Sequence, residues 1–330
     1  MTSRSVEEAL FLSPNALETA LKEKVEERGQ LPQMMRYQLG LEDEKGDPLI
    51  GGAPDRLRAP LTFISCAVLG GDYKKAMPYA VAVELANAGL AIHQDVQDGL
   101  PERDRRQTVW WVWGPAHGIN VGSAMIAMAR REISLTESMA AAHAFDNAMT
   151  AYTTGQYWHR NFIQQTEVKP EPFAKMLEGS AGALFGFAVE CGAIAAGAGK
   201  AAVQSFGQAG LAIGVAYHLQ REHDELWGKA ALQRRPQVFL SGRKTYAIAV
   251  ALAKLEGKDR VDLIGALRRW GSNDEEMAHA VTLIDGAGAK QATEQAIAAH
   301  MQKALESLKA GGAGAGAETM IGMVRQKLGL

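Results

Sequence analysis

The chain has 330 residues, 47% hydrophobic and 22% charged, so it is long enough to bury a large core. Its 35 Lys and Arg residues nearly balance 37 Asp and Glu residues, and a net charge of -2 gives no support for a general nucleic-acid binder. Two cysteines, Cys66 and Cys191, exclude a disulfide framework and favour a reducing compartment. The start of the chain lacks the apolar run of a secretory signal, so we expect a soluble, cytoplasmic protein.

Helical periodicity dominates the chain from its first residues onward. Ser13 and Pro14 are typical of an N-cap followed by Pro at the first helical position, and they predict a helix that ends at Gly29. Only TVWWV, from Thr108, resembles a strand. We therefore predict an all-α protein, with further helices over residues 56–69, 74–97, 115–132, 136–154, 171–196, 201–227, 243–256, 261–270 and 273–308.

Two apolar or small-residue stretches bear on domain organisation. Residues 180–199 are rich in Gly and Ala, but Glu190 lies within the run, which favours a buried central helix over a membrane span. The Gly/Ala-rich stretch from Ala310 predicts a flexible link to a last helix over residues 319–328. We expect a single helical domain over residues 1–309, followed by this link and short helix over residues 310–330.

A first cluster of polar residues lies at the end of a predicted helix. Asp95 and Asp98 are three residues apart and Gln94 and Asp98 four, so these side chains share one face. Such oxygens suit Mg²⁺, and Arg103, Arg105 and Arg106 follow on a loop, within reach of a phosphate. The alternative is a solvated helix end with mixed charges.

A second cluster closes another long apolar helix. Glu222 and Glu225 are three residues apart on its last turn, beside Arg221 and Asp224. An ordinary charged helix end is again the alternative. The eight histidines have no HExxH or Cys-paired spacing, so we expect no structural zinc site.

The ordered motifs resemble those of the trans-isoprenyl diphosphate synthases, the polyprenyl synthetase family. DRLRAPLTFISCAVLGG, AVELANAGLAIHQDVQDG and RDRRQTV are similar to the family's GKRLRP, VELLHxxSLIHDDxxD and LRRGxPT. GQYWH, SAGALFGFAVECGA, GVAYHLQREHDELWG and GRKT continue the match, which covers residues 35–256. The resemblance implies an isoprenoid synthase-type bundle of ten or more helices around a central cavity, usually as a homodimer. Two acidic motifs would face each other and hold Mg²⁺ on an allylic isoprenoid diphosphate.

Departures from the family pattern fall mainly on the second substrate. In the acidic motifs, Gln94 and Arg221 replace Asp residues, whereas Arg103 keeps the arginine on the allylic side. The family grips isopentenyl diphosphate with a Lys, two Arg and a Gln or His. Here Asp55, Asp104 and Asn87 occupy three of these positions, and only Arg58 remains. Ser180 replaces a lysine that contacts the allylic diphosphate. Chain elongation in the usual way is therefore not expected.

The resemblance also bears on the hydrocarbon pocket. Gly89 and Leu90 stand where bulky aromatic residues would stop the chain early, so the pocket would admit a tail of fifteen or twenty carbons. Alternatively, Gly89 serves close helix packing. Trp110, Trp111 and Trp113 could face a carbocation, or they serve core or dimer packing.

Three functions follow from these residues. The first is Mg²⁺-dependent ionisation of an allylic diphosphate, followed by cyclisation, elimination or atypical prenyl transfer. The second is ordinary condensation with isopentenyl diphosphate, with Arg105, Arg106 or Lys244 as replacement cations. The third is an inactive regulatory subunit in a heteromer with an active synthase. For the first function, the catalytic residues are Asp95, Asp98, Arg103, Glu222 and Glu225, of which the four acids bind metal, and the substrate-binding residues are Arg58, Asn87, Gly89, Leu90, Gln94, Arg221 and Lys244.

Overall fold

A computed structural model describes residues 3–49, 56–165, 168–228, 243–268 and 273–330, and the side chains from residue 14 onward. The prediction at Asp55 lies outside these residues. The helices are α1 Ser3–Lys24, α2 Gln30–Gln38, α3 Arg58–Val68, α4 Met77–Asp98, α5 Val109–Trp113, α6 Pro115–Leu135, α7 Met139–Gln164, α8 Pro170–Leu177, α9 Ala183–Ala195, α10 Lys200–Trp227, α11 Tyr246–Lys254, α12 Gly257–Arg268, α13 Asp274–Gly286, α14 Ala289–Ala310 and α15 Gly316–Leu328. A 3₁₀ turn covers Tyr73–Ala76, a π-helical turn covers Glu178–Gly182, and β1 Glu102–Arg103 pairs with β2 Arg106–Gln107.

The all-α prediction is confirmed, with local differences. TVWWV, the stretch that resembles a strand in the sequence, is helical from Val109, and Thr108 is extended at the N-cap of this short helix. The first helix begins at Ser3 and contains Pro14, whereas the sequence placed its start at Pro14. The helix predicted over residues 273–308 is two helices, because a turn at Ala287 and Gly288, with φ of 72° at Gly288, separates them.

Contacts between residues group the chain into two compact units. Unit 1 comprises Met1–Asp146, Phe187–Phe206 and Gly311–Gly316. Its central feature is the pairing of α4 with α6. A Cβ atom added at Gly89 would lie 2.6 Å from Gly122 O, and one added at Gly122 would lie 2.5 Å from the His93 ring. The two helices therefore approach closely because both positions lack a side chain.

Unit 2 comprises Asn147–Gly186, Gly207–Ala310 and Ala317–Leu330. Its C-terminal helices share an apolar core around α11, which is buried on nearly every side. The large apolar residues of this core include Ile248, Leu252, Leu263, Met277 and Ile284. Burying one such side chain stabilises the folded protein by about 1.5–3 kcal/mol relative to leaving it exposed.

Glycines also govern packing around the π-helical turn of unit 2. A Cβ atom at Gly155 would clash with Ser180 N, and one at Gly182 would lie 2.9 Å from Leu211 O. The turn thus packs directly against the backbones of α7 and α10.

The sequence analysis made two predictions on domain organisation: a single helical domain, and a link to a short last helix. The single domain over residues 1–309 stays a prediction. The link after α14 is short, and Gly311 and Ala313 are buried, with a Cβ atom at Gly311 reaching the Phe206 ring at 2.7 Å. The last helix begins at Gly316, three residues before the predicted start.

One stretch of the described chain, Pro170–Ala195, is long and apolar enough to cross a membrane. Its mean hydropathy reaches 1.2, and 67% of its most apolar window is buried inside the protein. This burial agrees with the interpretation of residues 180–199 as a core helix.

Candidate functional site

A half-buried polar stripe runs along α4 in unit 1. Asn87, Gln94 and Asp98 are spaced by seven and four residues, which places them within about 40° of one another around the helix axis. Most of the rest of the helix is buried. The helix ends at Asp98 because Gly99 adopts a left-handed conformation with φ of 62°. Three of the predicted site residues therefore share one accessible face.

Asp95 lies beside this stripe but is only 2% exposed. Its Oδ1 lies 2.7 Å from Arg103 Nε, which donates a hydrogen bond, and 2.6 Å from Arg103 Nη2. Burial raises the pKa of the Asp95 carboxyl, and the charge of Arg103 opposes that rise. The pair joins the end of α4 to strand β1.

The hairpin that carries Arg103 explains the loop motif RDRR. Asp104 and Arg105 form its two-residue turn with φ of 49° and 66°, and both are exposed. Arg106 points back into unit 1, where its Nη2 donates to Tyr37 O at 2.9 Å and its guanidinium lies 4.3 Å from the Tyr37 ring centre. Arg106 therefore holds α2 against the hairpin.

The start of α3 is fixed by a buried carboxylate that the sequence analysis missed. Glu84 Oε1 accepts a hydrogen bond from Ala59 N at 3.1 Å, and Oε2 accepts one from Arg56 Nη1 at 3.1 Å. Arg58, the predicted ligand of the second diphosphate, is the half-buried first residue of α3. Glu84 thus positions the segment on which Arg58 lies.

Gly89 and Leu90 were predicted to line a hydrocarbon pocket, and the structure gives Gly89 a different role. A Cβ atom added at Gly89 would lie 2.6 Å from Gly122 O and 3.0 Å from Ile126 Cγ1, which leaves no room for a side chain. Gly89 therefore serves close packing of α4 on α6, which was the alternative. Leu90 is buried and stays a predicted pocket residue.

The tryptophans of α5 have structural contacts. Trp110 Nε1 donates to Leu100 O at 2.7 Å, and Trp113 packs edge-on against Tyr37 with ring centres 5.0 Å apart. Trp111 is 55% exposed. These contacts support packing for Trp110 and Trp113 rather than a role at a carbocation.

In unit 2 the second acidic motif lies on the last turns of α10. Tyr217, Arg221 and Glu225 recur every four residues on one partly exposed face, and Arg221 Nη1 donates to Tyr217 Oη at 3.5 Å. Glu222 is buried instead. Its Oε2 accepts from Tyr246 N at 3.0 Å, and its Oε1 lies 3.2 Å from His218 Nε2. Glu222 therefore fixes the start of α11.

Lys244 is placed to close the end of a helix. It is 6% exposed, and its Nζ donates to Phe162 O at 2.7 Å and Ile163 O at 2.9 Å, near the end of α7. Burial lowers the pKa of Lys244 to about 8. The Lys244 ammonium group thus donates to two carbonyls, and its binding to substrate stays a prediction.

The predicted metal ligands divide into two kinds. Mg²⁺ is commonly held by one or two carboxylates, with water and phosphate oxygens in the remaining positions. Asp98 and Glu225 lie on partly exposed faces, whereas Asp95 and Glu222 are buried. No group of three or more His, Cys, Asp or Glu side chains surrounds a single metal position in the described part of the chain. Within each unit, one partly exposed carboxylate is of the kind that Mg²⁺ binds.

The two acidic pairs belong to different units, Asp95 and Asp98 to unit 1 and Glu222 and Glu225 to unit 2. Their convergence stays a prediction. Within unit 1 the structure brings together Asp95 and Arg103, and within unit 2 it brings His218 to Glu222. The spacing of His218 and Glu222, four residues on one helix, was a signal for this pair.

Comparison with known proteins agrees with the fold and the motifs. The polyprenyl synthetase family model matches residues 49–284. A (2E,6E)-farnesyl diphosphate synthase of Mycobacterium tuberculosis is 29% identical over 272 residues, which cover 80% of this chain and 76% of the relative. A geranylgeranyl diphosphate synthase of the same organism is 28% identical over 269 residues, 79% of this chain and 77% of the relative.

Solved structures show the same fold. A polyprenyl synthetase from Streptomyces coelicolor superimposes with a TM-score of 0.87 at 24% identity and covers 99% of both chains. A polyprenyl synthase from Caulobacter crescentus, complexed with calcium and isoprenyl diphosphate, gives 0.85 at 22% identity and covers 99% of this chain and 98% of that one.

Fold and motifs together define a prenyltransferase with the class I isoprenoid synthase fold. The chain belongs to the polyprenyl synthetase family, which confirms the resemblance found in its sequence.

Proposed function

We propose that this chain ionises an allylic isoprenoid diphosphate in the presence of Mg²⁺ and completes the reaction without isopentenyl diphosphate. Cyclisation, elimination or prenyl transfer to another acceptor would follow ionisation. A tail of about fifteen to twenty carbons is supported by Leu90 and by the farnesyl and geranylgeranyl names of the relatives, and no longer by Gly89.

The observation that carries this proposal is the hydrogen bonding of the predicted replacement cations to backbone carbonyls. Two of the three predicted replacement cations, Arg106 and Lys244, each donate to two backbone carbonyls, which directs them away from a second diphosphate. The third, Arg105, is exposed at the hairpin turn. Asn87 and Asp104 occupy two of those ligand positions. Unit charges 4 Å apart interact by about 4 kcal/mol at an effective dielectric of about 20, so Asp104 in place of a cation disfavours a diphosphate there.

The residues assigned to the allylic diphosphate retain more of the family pattern than those assigned to isopentenyl diphosphate. Asp98 on unit 1 and Glu225 on unit 2 would each hold Mg²⁺. When bound, Mg²⁺ supplies positive charge that stabilises the departing diphosphate. Asp95 orients Arg103 through its two contacts, and we assign Arg103 to the same leaving group. Glu222 keeps α11 at the end of α10.

The direct test incubates purified protein with farnesyl or geranylgeranyl diphosphate and Mg²⁺, with isopentenyl diphosphate omitted. We expect release of diphosphate and a prenyl product by mass spectrometry, both abolished by EDTA. Asp98→Asn should reduce the rate at least tenfold, whereas Glu23→Gln, an exposed carboxylate on α1, should not. No release under any of these conditions would exclude the proposal.

Ordinary condensation is a second candidate, because the relatives at 28% and 29% identity are named farnesyl and geranylgeranyl diphosphate synthases. Arg105, exposed at the hairpin turn, would then contribute to the second site. Labelled isopentenyl diphosphate appearing in a longer product would establish this function. Loss of both activities, together with co-purification of an active synthase, would instead indicate a regulatory subunit in a heteromer.

The remaining expectations belong to the same proposal. We propose that the protein acts as a cytoplasmic homodimer. Family membership supports these expectations, as does the burial of the one candidate membrane helix found among the described residues.

A further inference from the structure

Two buried side chains three residues apart on α7 each have a polar atom without a hydrogen-bond partner among the described residues. Gln156 Oε1 and His159 Nε2 belong to side chains that are 8% and 5% exposed. They are three residues apart, so both side chains project from one side of the helix. Buried polar atoms in proteins nearly always bond to protein or to an ordered water. This pair therefore indicates a ligand.

The surroundings of His159 restrict that ligand. Its ring lies edge-on to Phe173, with ring centres 6.4 Å apart. Burial and the charges of Arg243, His218 and Arg160 lower the pKa of His159 well below its usual range, so the ring is neutral at pH 7. A neutral imidazole nitrogen either donates or accepts one hydrogen bond.

Three kinds of ligand can be compared at this pair. A fully ionised diphosphate has no proton to donate to Gln156 Oε1, which is an acceptor. A metal cation is disfavoured by the neighbouring arginines. Water donates to Gln156 Oε1 and also bonds to His159 Nε2 in either tautomer, and it is small enough for a buried site. Of the three ligands, only water has hydrogen-bonding groups that match both atoms.

The pair lies next to the segments that the proposed function uses in unit 2. Gly155, the preceding residue, packs against the backbone of Ser180 in the π-helical turn. His218, whose charge acts on His159, lies 3.2 Å from Glu222 in the second acidic motif.

We infer that Gln156 and His159 hold a water molecule that is the acceptor of the allylic cation, an inference that rests on the proposed function. The water oxygen forms a C–O bond to the cation left after the C–O bond to diphosphate breaks. One water proton passes to His159 Nε2 and then to solvent. The balanced reaction is allylic diphosphate plus water to prenyl alcohol, diphosphate and a proton.

The test uses the whole protein with farnesyl diphosphate and Mg²⁺ in water enriched in ¹⁸O. We expect farnesol that carries one ¹⁸O atom, because water attacks carbon. His159→Phe and Gln156→Leu should lower the fraction of alcohol at least tenfold and divert product to hydrocarbon. His143→Phe, an exposed histidine on the same helix, is the matched control. Thermal melts verify that each variant is folded.

Several outcomes separate this inference from the proposed function. Release of diphosphate with only hydrocarbon as product would overturn the inference and leave ionisation intact. Water oxygen (¹⁸O) found in the phosphate would show P–O cleavage and would overturn both the inference and the proposed ionisation. Absence of any release would overturn the proposed function itself. A crystal structure of the unliganded protein gives a readout independent of activity. It should contain a water within hydrogen-bond distance of Gln156 Oε1 and His159 Nε2, and an empty position there would overturn the inference.

Discussion

At the scale of single residues, the two acidic motifs use their buried carboxylates for structure. Asp95 contacts Arg103, and Glu222 contacts His218 and the start of α11. Asp98 and Glu225 remain on partly exposed faces. Each motif thus contains one buried acid that positions neighbouring elements and one partly exposed acid that we propose as a metal ligand.

The contact between Arg103 and Asp95 leads to a prediction about pH. Arg103→Ala leaves Asp95 buried without its counter-charge, and we expect a loss of about 1–3 kcal/mol in unfolding free energy at pH 7.5. Burial already raises the pKa of Asp95 in the folded state, and removal of Arg103 raises it further. Protonated Asp95 needs no cation, so the loss should shrink as the pH falls through that raised pKa.

Urea unfolding of the wild type and Arg103→Ala at pH 7.5 and pH 4.5 measures this effect. Arg131→Ala, an exposed arginine on α6, should change little at either pH. An equal loss for Arg103→Ala at both values would contradict the assigned role of the ion pair.

Residue-level contacts were the hardest to predict from the sequence. The sequence motifs indicated the acidic pairs and Arg103. Glu84, however, accepts a hydrogen bond from a backbone N–H 25 residues away, and no local spacing indicates such a bond. Lys244 likewise bonds to carbonyls 81 and 82 residues away.

At the scale of elements, the pairing of α4 with α6 depends on glycine. Gly89→Ala would place a methyl group 2.6 Å from Gly122 O, and backbone cannot move aside cheaply. We expect a loss of about 1–3 kcal/mol by chemical denaturation. Gly322→Ala is the matched control, since nothing lies within 4 Å of its added Cβ atom, and it should stabilise α15 by about 0.5–1 kcal/mol. Equal effects would show that close packing at Gly89 is unimportant.

The end of α7 gives a second prediction for an element. Lys244→Met removes the donor from Phe162 O and Ile163 O and should cost about 1–3 kcal/mol. With a folded pKa of about 8, below that of an unfolded lysine, the unfolded wild type binds more protons between about pH 8 and 10.5. Wild-type stability should therefore rise relative to the variant over that window.

Thermal and urea unfolding at pH 7, 8.5 and 10 checks both statements. Lys258→Met, an exposed lysine at the start of α12, serves as the control. A variant as stable as the wild type at every pH would show that Lys244 does not close the helix.

Helices were predicted well because their apolar periodicity is long and regular. The structure differs from the predicted elements where the periodic pattern of apolar residues is short or ambiguous. TVWWV has the β-branched and aromatic composition of a strand, yet Gly114 and the contacts of Trp110 and Trp113 hold it as a one-turn helix. The π-helical turn at Glu178–Gly182 follows from close backbone packing with α7, which residue type alone does not specify.

At the scale of the whole molecule, the sequence predicted the family because seven motifs occur in order. It also predicted that the second-substrate ligands are altered, which depends on residue identity alone. The role of Gly89 could not be decided, since a glycine that opens a pocket and one that admits a neighbouring helix look the same in a sequence. The contact with Gly122 distinguishes them.

The assembly state is a prediction at this scale. Sedimentation equilibrium at micromolar concentration should give twice the chain mass of 35.4 kDa, as expected of a homodimer. A species of 35.4 kDa over the whole concentration range would contradict this expectation, and a dimer formed only with an active synthase would favour the regulatory alternative.

The central claim is that ionisation proceeds without the second substrate. Farnesyl diphosphate and isopentenyl diphosphate labelled with different isotopes should be incubated together with the protein and Mg²⁺, and the diphosphate released compared with the isopentenyl label found in product. We predict steady release of diphosphate with no isopentenyl label incorporated. One isopentenyl unit incorporated for each diphosphate released would contradict the account.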